Sequence, residues 1–411
     1  VVAEQYPWPA VDGYRQRLAA MVAGLALAGE VEVLTLVRAD LPPEPPPPPL
    51  AGRVSWDAVV AGRARRTREW LPAWVRRGAP PRRVLGHDWT ELRGRVAGRL
   101  ADRSRPVDLV WYSHVDTWWH LRDLAGGIPG IVDFDNLENL ALRLRRGTPP
   151  RPVPGATAGQ RLSTAVRWAA SRAFDVLDER RWDALQRRAA AASGAVVVCS
   201  ELDVGRSGCA NAVAIGNGAT APADPVRDRR RLRGDVPTLL FVGALDYEPN
   251  AEAVEWFVRE VWPLLRAEQP SARVRLVGRG DQHVSWVGSV EGVELVGPVE
   301  DLGAELRAAD VSVVPIRVGA GTRLKVVEAL ANHLPLVTTT VGCEGIEVRD
   351  GEHALVVDDP PGFAAACVRL LRDGELRQRL ADRGSELFAQ RYDWSRIHRR
   401  VAGLAREVAD A

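Results

Sequence analysis

VSVVPIRVGAGTRLKVVEALANHLPLVTTT (311–340) passes from a β-branched apolar run through a glycine-bearing loop into a helix-period segment, then into a second apolar run. Two buried parallel strands joined by a crossover helix read this way: a strand covered on both faces is continuously apolar, while its connecting helix repeats every three to four residues. In the loop, Gly319, Gly321 and Thr322 leave the backbone open at the helix start, where N–H groups and the macrodipole attract anions. Arg323 adds a planar fork of donors. Lys325 is the only lysine of the chain, in a composition rich in Arg, Ala, Val, Gly and Pro of the kind that GC-biased coding produces. A lysine retained against that bias marks a requirement, and the segment is read as a phosphate-binding site. The competing reading is a solvated Lys325–Glu328 pair, three residues apart and worth about 0.3 kcal/mol.

The same alternation extends in both directions, which makes the class α/β. Strands are expected at 1–5, 31–37, 108–114, 130–135 and 195–200 in the first half, with helices at 14–28, 63–77, 90–103 and 161–192 between them. The second half restarts at TLLFVGAL (238–245) and continues through ARVRLVG (272–278), VELVG (293–297) and ALVVDD (354–359). Two stretches interrupt the first half: LPPEPPPPPL (41–50), a stiff polyproline-type loop, and GTPPRPVPGATAG (147–159), a mobile connection. A polar, weakly apolar stretch separates the halves. The expected division is an N-terminal domain 1–218, a linker 219–236, a C-terminal domain 237–391, and a final helix 392–411 that crosses back.

A chain of 411 residues exceeds what one core organises, so two domains are expected. With 55 basic and 53 acidic residues, net charge +2 supplies no general attraction for nucleic acid. Cys199, Cys209, Cys343 and Cys367 lack CxxC spacing and read as free thiols in a reducing cytoplasm. No apolar stretch has the length of a membrane span. VVAEQYPWP (1–9) reads as the end of a buried strand whose first residues are absent from the chain.

In open parallel sheets, ligands bind beyond the carboxyl ends of strands, at loops leading into helices. Asp12–Gly13, Gly243–Ala244 and Gly319–Thr322 occupy such positions. FVGALDYEPNAEAVEWF, VRLVGRG, VELVGPVEDL, the segment from Ala309 to Ile346 and the late YDW, in that order and spacing, resemble glycosyltransferases of family four. YPWPAVDGYRQR, DLVWYSH, VDFDNLEN and IGNGA carry the resemblance into the first half. It implies a GT-B fold, two Rossmann-like domains with parallel sheets facing across a cleft. It also implies a nucleotide-sugar donor, a UDP-sugar foremost, held mainly by the C-terminal domain, a hydroxyl acceptor held by the other, and transfer with retention and without a metal or other cofactor.

Carried onto this chain, the resemblance makes Glu328 the ligand of the nucleotide ribose, and Gly13, Gly243, Gly278, Gly321, Thr322, Arg323 and Lys325 the donor-binding set. Arg323 and Lys325 would stabilise the departing diphosphate. The chain departs from the pattern at Ala320, where many members have a second glutamate, and in GALDYEPN (243–250), which lacks the usual positive charges. Those departures keep a non-catalytic nucleotide-sugar-binding or activator subunit open as the alternative.

His114 is expected to orient the acceptor or touch the sugar, with Trp118, Asp135 and Glu138 beside it on the acceptor side. The blander readings are a satisfied strand-end histidine and a core tryptophan. Asp133-Phe134-Asp135 is literally a DxD, the manganese motif of the other major glycosyltransferase fold; the two-domain organisation argues against that role, and no metal ligand is assigned. The basic runs RARRTR (63–68) and ERRWDALQRR (179–188) could touch anionic lipid, although a solvated helix face is the favoured reading.

Overall fold

A computed structural model describes residues 1–10, 12–37, 42–147, 157–319 and 321–411. Most of the 147–159 connection and part of the proline-rich loop lie outside these ranges. The chain forms two compact units, one built from residues up to Asn217 together with Ser395–Ala411, the other from Gly218–Trp394.

The first unit is a seven-stranded parallel sheet: β1 (Val2–Ala3), β2 (Val31–Val37), β3 (Val54–Val60), β4 (Val110–Tyr112), β5 (Gly130–Phe134), β6 (Ala195–Val198) and β7 (Ala212–Ala214). Its order is β3-β2-β1-β4-β5-β6-β7. β6 is apolar throughout because both faces are covered, and β5 departs from that only at the buried Asp133; Ile131, Val132, Val196, Val197 and Val198 are all buried. β3 escapes the apolar-run criterion because it is the edge strand and leaves Trp56 and Val60 exposed. The last helix, Trp394–Ala409, packs into this unit through two glycine notches. A Cβ on Gly24 would lie 2.6 Å from Val401 Cβ, and one on Gly194 would lie 2.5 Å from Val408 Cγ1.

The second unit has six parallel strands: β8 (Thr238–Val242), β9 (Arg273–Val277), β10 (Val293–Gly297), β11 (Val311–Val314), β12 (Leu336–Thr338) and β13 (Leu355–Val356). The order β10-β9-β8-β11-β12-β13 reverses between β8 and β11, as the first sheet reverses between β1 and β4. Crossover helices leave these neighbouring strands in opposite directions, so a crevice opens at the carboxyl edge of each pair.

The stretch 219–236, expected to be a linker, is instead bound to the second unit. Arg229 is buried and donates to the carbonyls of Ala309 at 2.8 Å, His333 at 2.9 Å and Asn332 at 3.1 Å. Those oxygens close the helices Leu302–Ala308 and Leu324–Ala331, so one guanidinium caps two helix C-termini. Low apolar content concealed this attachment, which is made by hydrogen bonds.

Candidate functional site

In the second unit the β8/β11 crevice is walled by the loop after β8 and by the loop and helix Leu324–Ala331 that follow β11. Lys325 Nζ donates to Asn250 Oδ1 at 2.6 Å and stands 4.4 Å from the centroid of the Phe241 ring. Asn250 Nδ2 in turn donates to Ala244 O at 2.8 Å, which ties the first turn of helix Glu248–Trp256 to its own loop and aims its oxygen at the lysine. A side chain on Gly243 would not fit: its Cβ would lie 2.8 Å from both Lys325 Nζ and Asn250 Nδ2. Gly278 is closer still to this loop, since a Cβ there would meet Gly243 O at 1.9 Å. These two glycines let the loops after β8 and β9 close around the lysine.

The helix Leu324–Ala331 begins at Arg323 with no side-chain cap, so its first-turn N–H groups face the loop unsatisfied by any side chain. Gly319 and Gly321 have φ of 130° and 82°, values that suit glycine. Arg323 donates to Gly321 O and holds the loop against the helix. The Thr322 hydroxyl is buried without a partner among the described residues, a polar group that a ligand could satisfy. Ala320 lies outside the described residues.

Burial first, then the neighbouring Arg323 charge, lowers the Lys325 pKa to about 7, against the opposing pull of Glu328. Burial raises the Glu328 pKa, with Lys325 opposing. Yet Glu328 makes no ion pair within 4.0 Å with Lys325 or any other described residue, and its carboxylate accepts no hydrogen bond among them. The surface-pair reading of these two residues is therefore replaced: Lys325 is held by Asn250, and Glu328 offers an unengaged acceptor. Of the donor-binding set, Gly243, Gly278, Gly321, Thr322, Arg323, Lys325 and Glu328 all lie at the carboxyl edge of this one sheet. Asn250 and Phe241, which hold Lys325, carry no charge, so their residue types give no sign in the sequence of a phosphate site.

The first unit's switch point holds a different arrangement. Gly13 opens helix Gly13–Leu25 after Asp12, whose Oδ1 accepts from Arg15 N at 3.0 Å. His114, after β4, is buried, with Nδ1 3.2 Å from Asp116 and Nε2 3.4 Å from Glu138. Arg83 completes the cluster at 3.3 Å from Asp116 and 2.6 Å from Glu138. Burial disfavours the imidazolium, but Asp116 and the hydrogen bonds to Asp116 and Glu138 outweigh it and raise the His114 pKa to about 10. Glu138 is held near 2, where its bonds to His114 and Arg83 overcome the burial that would raise it. Both ring nitrogens of His114 are thus occupied by carboxylates.

Trp118 corrects the aromatic expectation: it is 5% exposed and belongs to the core of this unit, so its face is not offered to a sugar. Of the DxD, Asp133 is internal: it pairs with the buried Arg17 at 2.7 Å, and Arg17 also donates to Asn217 at 2.9 Å, while Asp135, 3.6 Å from Arg17, is partly exposed.

Residues 236–373 match the family model described as glycosyl transferases group 1. This stretch of the chain belongs to that family. The fold around this group 1 segment is GT-B: a sucrose-phosphate synthase from Thermosynechococcus elongatus superposes with a TM-score of 0.65 at 18% identity, covering 99% of this chain and 98% of that one. Anabaena HepE, whose structure holds UDP, superposes with a TM-score of 0.61 at 13% identity, covering 99% of each chain. A phosphatidyl-myo-inositol mannosyltransferase of Mycobacterium leprae is 31% identical over 179 residues, 42% of this chain and 47% of that protein. A D-inositol 3-phosphate glycosyltransferase of Acidothermus cellulolyticus is 37% identical over 113 residues, 27% of this chain and 25% of that protein. The matched stretch spans about half the length of the first of these curated relatives.

Proposed function

We propose that this chain transfers a sugar from a nucleotide-sugar donor, a UDP-sugar foremost, to the hydroxyl of a small natural product or glycan, with retention at the anomeric carbon. The observation that carries the proposal is the β8/β11 crevice, where Lys325, Arg323 and an uncapped helix N-terminus converge beside the unengaged Glu328 carboxylate. A diphosphate brings the charge that Lys325 and the first-turn N–H groups complement, and a ribose diol brings the donors that Glu328 lacks. As the sugar–phosphate bond breaks, negative charge grows on the leaving diphosphate, and these fixed cations and N–H dipoles stabilise it; loss of one such donor typically costs about 3 kcal/mol. In this reading the charge comes from the protein, with no metal required.

A thermal-shift panel of UDP, GDP and ADP with their sugars tests donor choice: a ligand at a hundred times its Kd stabilises the folded form by about 2.7 kcal/mol. Slow hydrolysis of the preferred nucleotide sugar without acceptor is expected of the enzyme. Tight binding with no turnover, whatever hydroxyl is supplied, would instead establish the non-catalytic subunit that the uncharged 243–250 loop motivates. The names of the relatives make free and lipid-borne inositols the first acceptors to supply.

A further inference from the structure

The helix Ala158–Ala191 is 34 residues long, and its inner face enters the core only from Asp175 and Trp182 onward. Before that it shows an apolar stripe to solvent. Leu162 is 66% exposed, Val166 59%, Val176 42% and Leu177 38%, with exposed Ala165 and Ala169 between them. At 100° per residue these six fall within about 60° of one line, a stripe about 23 Å long. Burial on the helix's own unit does not explain it.

The charge around the stripe has one sign. Residues 158–174 contain Arg161, Arg167 and Arg172 and no carboxylate. The first acids along the helix are engaged inward: Asp175 by Arg82, Asp178 by Trp74 Nε1 at 2.7 Å, and Glu179 by Arg143 and Arg146 at 2.8 and 2.7 Å. Through Trp74, which donates to Asp178 and packs 5.0 Å from the Phe174 ring, the adjoining segment 63–77 is fastened to this helix, and it adds six arginines against one glutamate, with Val75 65% exposed. A chain of net charge +2 has therefore gathered a strongly basic, partly apolar surface here.

We infer that the first half of helix Ala158–Ala191, with the adjoining 63–77 segment, lies on anionic phospholipid bilayers. A helix with an apolar stripe flanked by arginines rests in the headgroup plane, apolar side down, with each cation attracted by the negative surface. Among the described residues no helix is long and apolar enough to cross a membrane, so contact is by lying on the surface. A second copy of this chain fits the stripe less well, because arginines would face arginines with no free carboxylate to match them.

The test is cosedimentation of the full chain with vesicles of phosphatidylcholine, alone and mixed with phosphatidylglycerol. At low salt the mixed vesicles should bind at least about tenfold more tightly, and binding should weaken as salt screens the arginines. Leu162→Glu with Val166→Glu should reduce partitioning by a similar factor while circular dichroism and thermal unfolding match the parent, since both side chains are solvent-exposed. Arg161→Gln, Arg167→Gln and Arg172→Gln together should do the same, which keeps the test open if the first variant misfolds. Failure of the parent to bind mixed vesicles, or unchanged binding by a folded variant, would overturn the assignment. So would self-association that the glutamate variant abolishes while neither protein binds vesicles, which would give the stripe to a second copy.

Discussion

If Lys325 grips the donor diphosphate, binding must take up a proton. In the free protein burial and Arg323 lower its pKa to about 7, so half of the molecules carry a neutral lysine at that pH. A bound diphosphate favours the charged form and raises the pKa. Affinity is then constant well below pH 7 and falls above it, where the free protein must be protonated before it can bind; the window closes at the pKa of the complex. From pH 7 to pH 8.5 the protonated fraction drops from about one half to about one thirtieth, which weakens Kd about sixteenfold, or about 1.6 kcal/mol. Over that range a nucleoside diphosphate's terminal phosphate is already ionised and contributes little. Calorimetry of UDP binding in two buffers of different ionisation enthalpy should report uptake approaching one proton at pH 8. Lys325→Arg, always charged, should bind with a flat pH profile, and Lys325→Met should bind weakly with no uptake. A flat profile in the parent, or the same uptake in Lys325→Met, would refute the reasoning.

Three further outcomes follow from the geometry. Glu328→Gln should weaken nucleoside diphosphate binding by about 1–3 kcal/mol in calorimetry through lost charge-assisted bonds to the ribose, with unfolding temperature little changed. Gly243→Ala should push Lys325 and Asn250 off their mutual bond, since its Cβ would stand 2.8 Å from each, and should lower donor affinity about tenfold in the same assay while circular dichroism is unaltered. Arg229→Met leaves the carbonyls of Ala309, Asn332 and His333 without their donor and should destabilise the second unit by about 3 kcal/mol in denaturant unfolding.

The sheets were legible where strands are buried on both faces, as at β6 or β11, and illegible at β3, whose edge position leaves Ser55, Trp56 and Val60 in water. Lys325 stood out because composition made it rare, and Glu328 because it follows on the same helix. Asn250 gave no comparable signal: an amide that bonds a loop carbonyl and a lysine looks like any helix-start asparagine until the two loops are brought together. Trp118 failed for the opposite reason, since a residue type suited to sugars serves here as core, whereas the DxD, to which no metal role was assigned, holds in Asp133 the partner of Arg17. The 219–236 stretch read as an interdomain linker because its attachment rests on hydrogen bonds, those of the buried Arg229 guanidinium and those that Arg377, Gln378, His333 and Asp310 make with its backbone, and a hydropathy pattern does not register hydrogen bonds.

A crystal structure of the chain soaked with UDP tests the central claim most directly. The account predicts the diphosphate in the β8/β11 crevice, with oxygens within hydrogen-bond distance of Lys325 Nζ and the first-turn N–H groups of helix Leu324–Ala331, and the ribose hydroxyls on Glu328. A diphosphate bound elsewhere, with Lys325 still held only by Asn250 and Glu328 untouched, would contradict it.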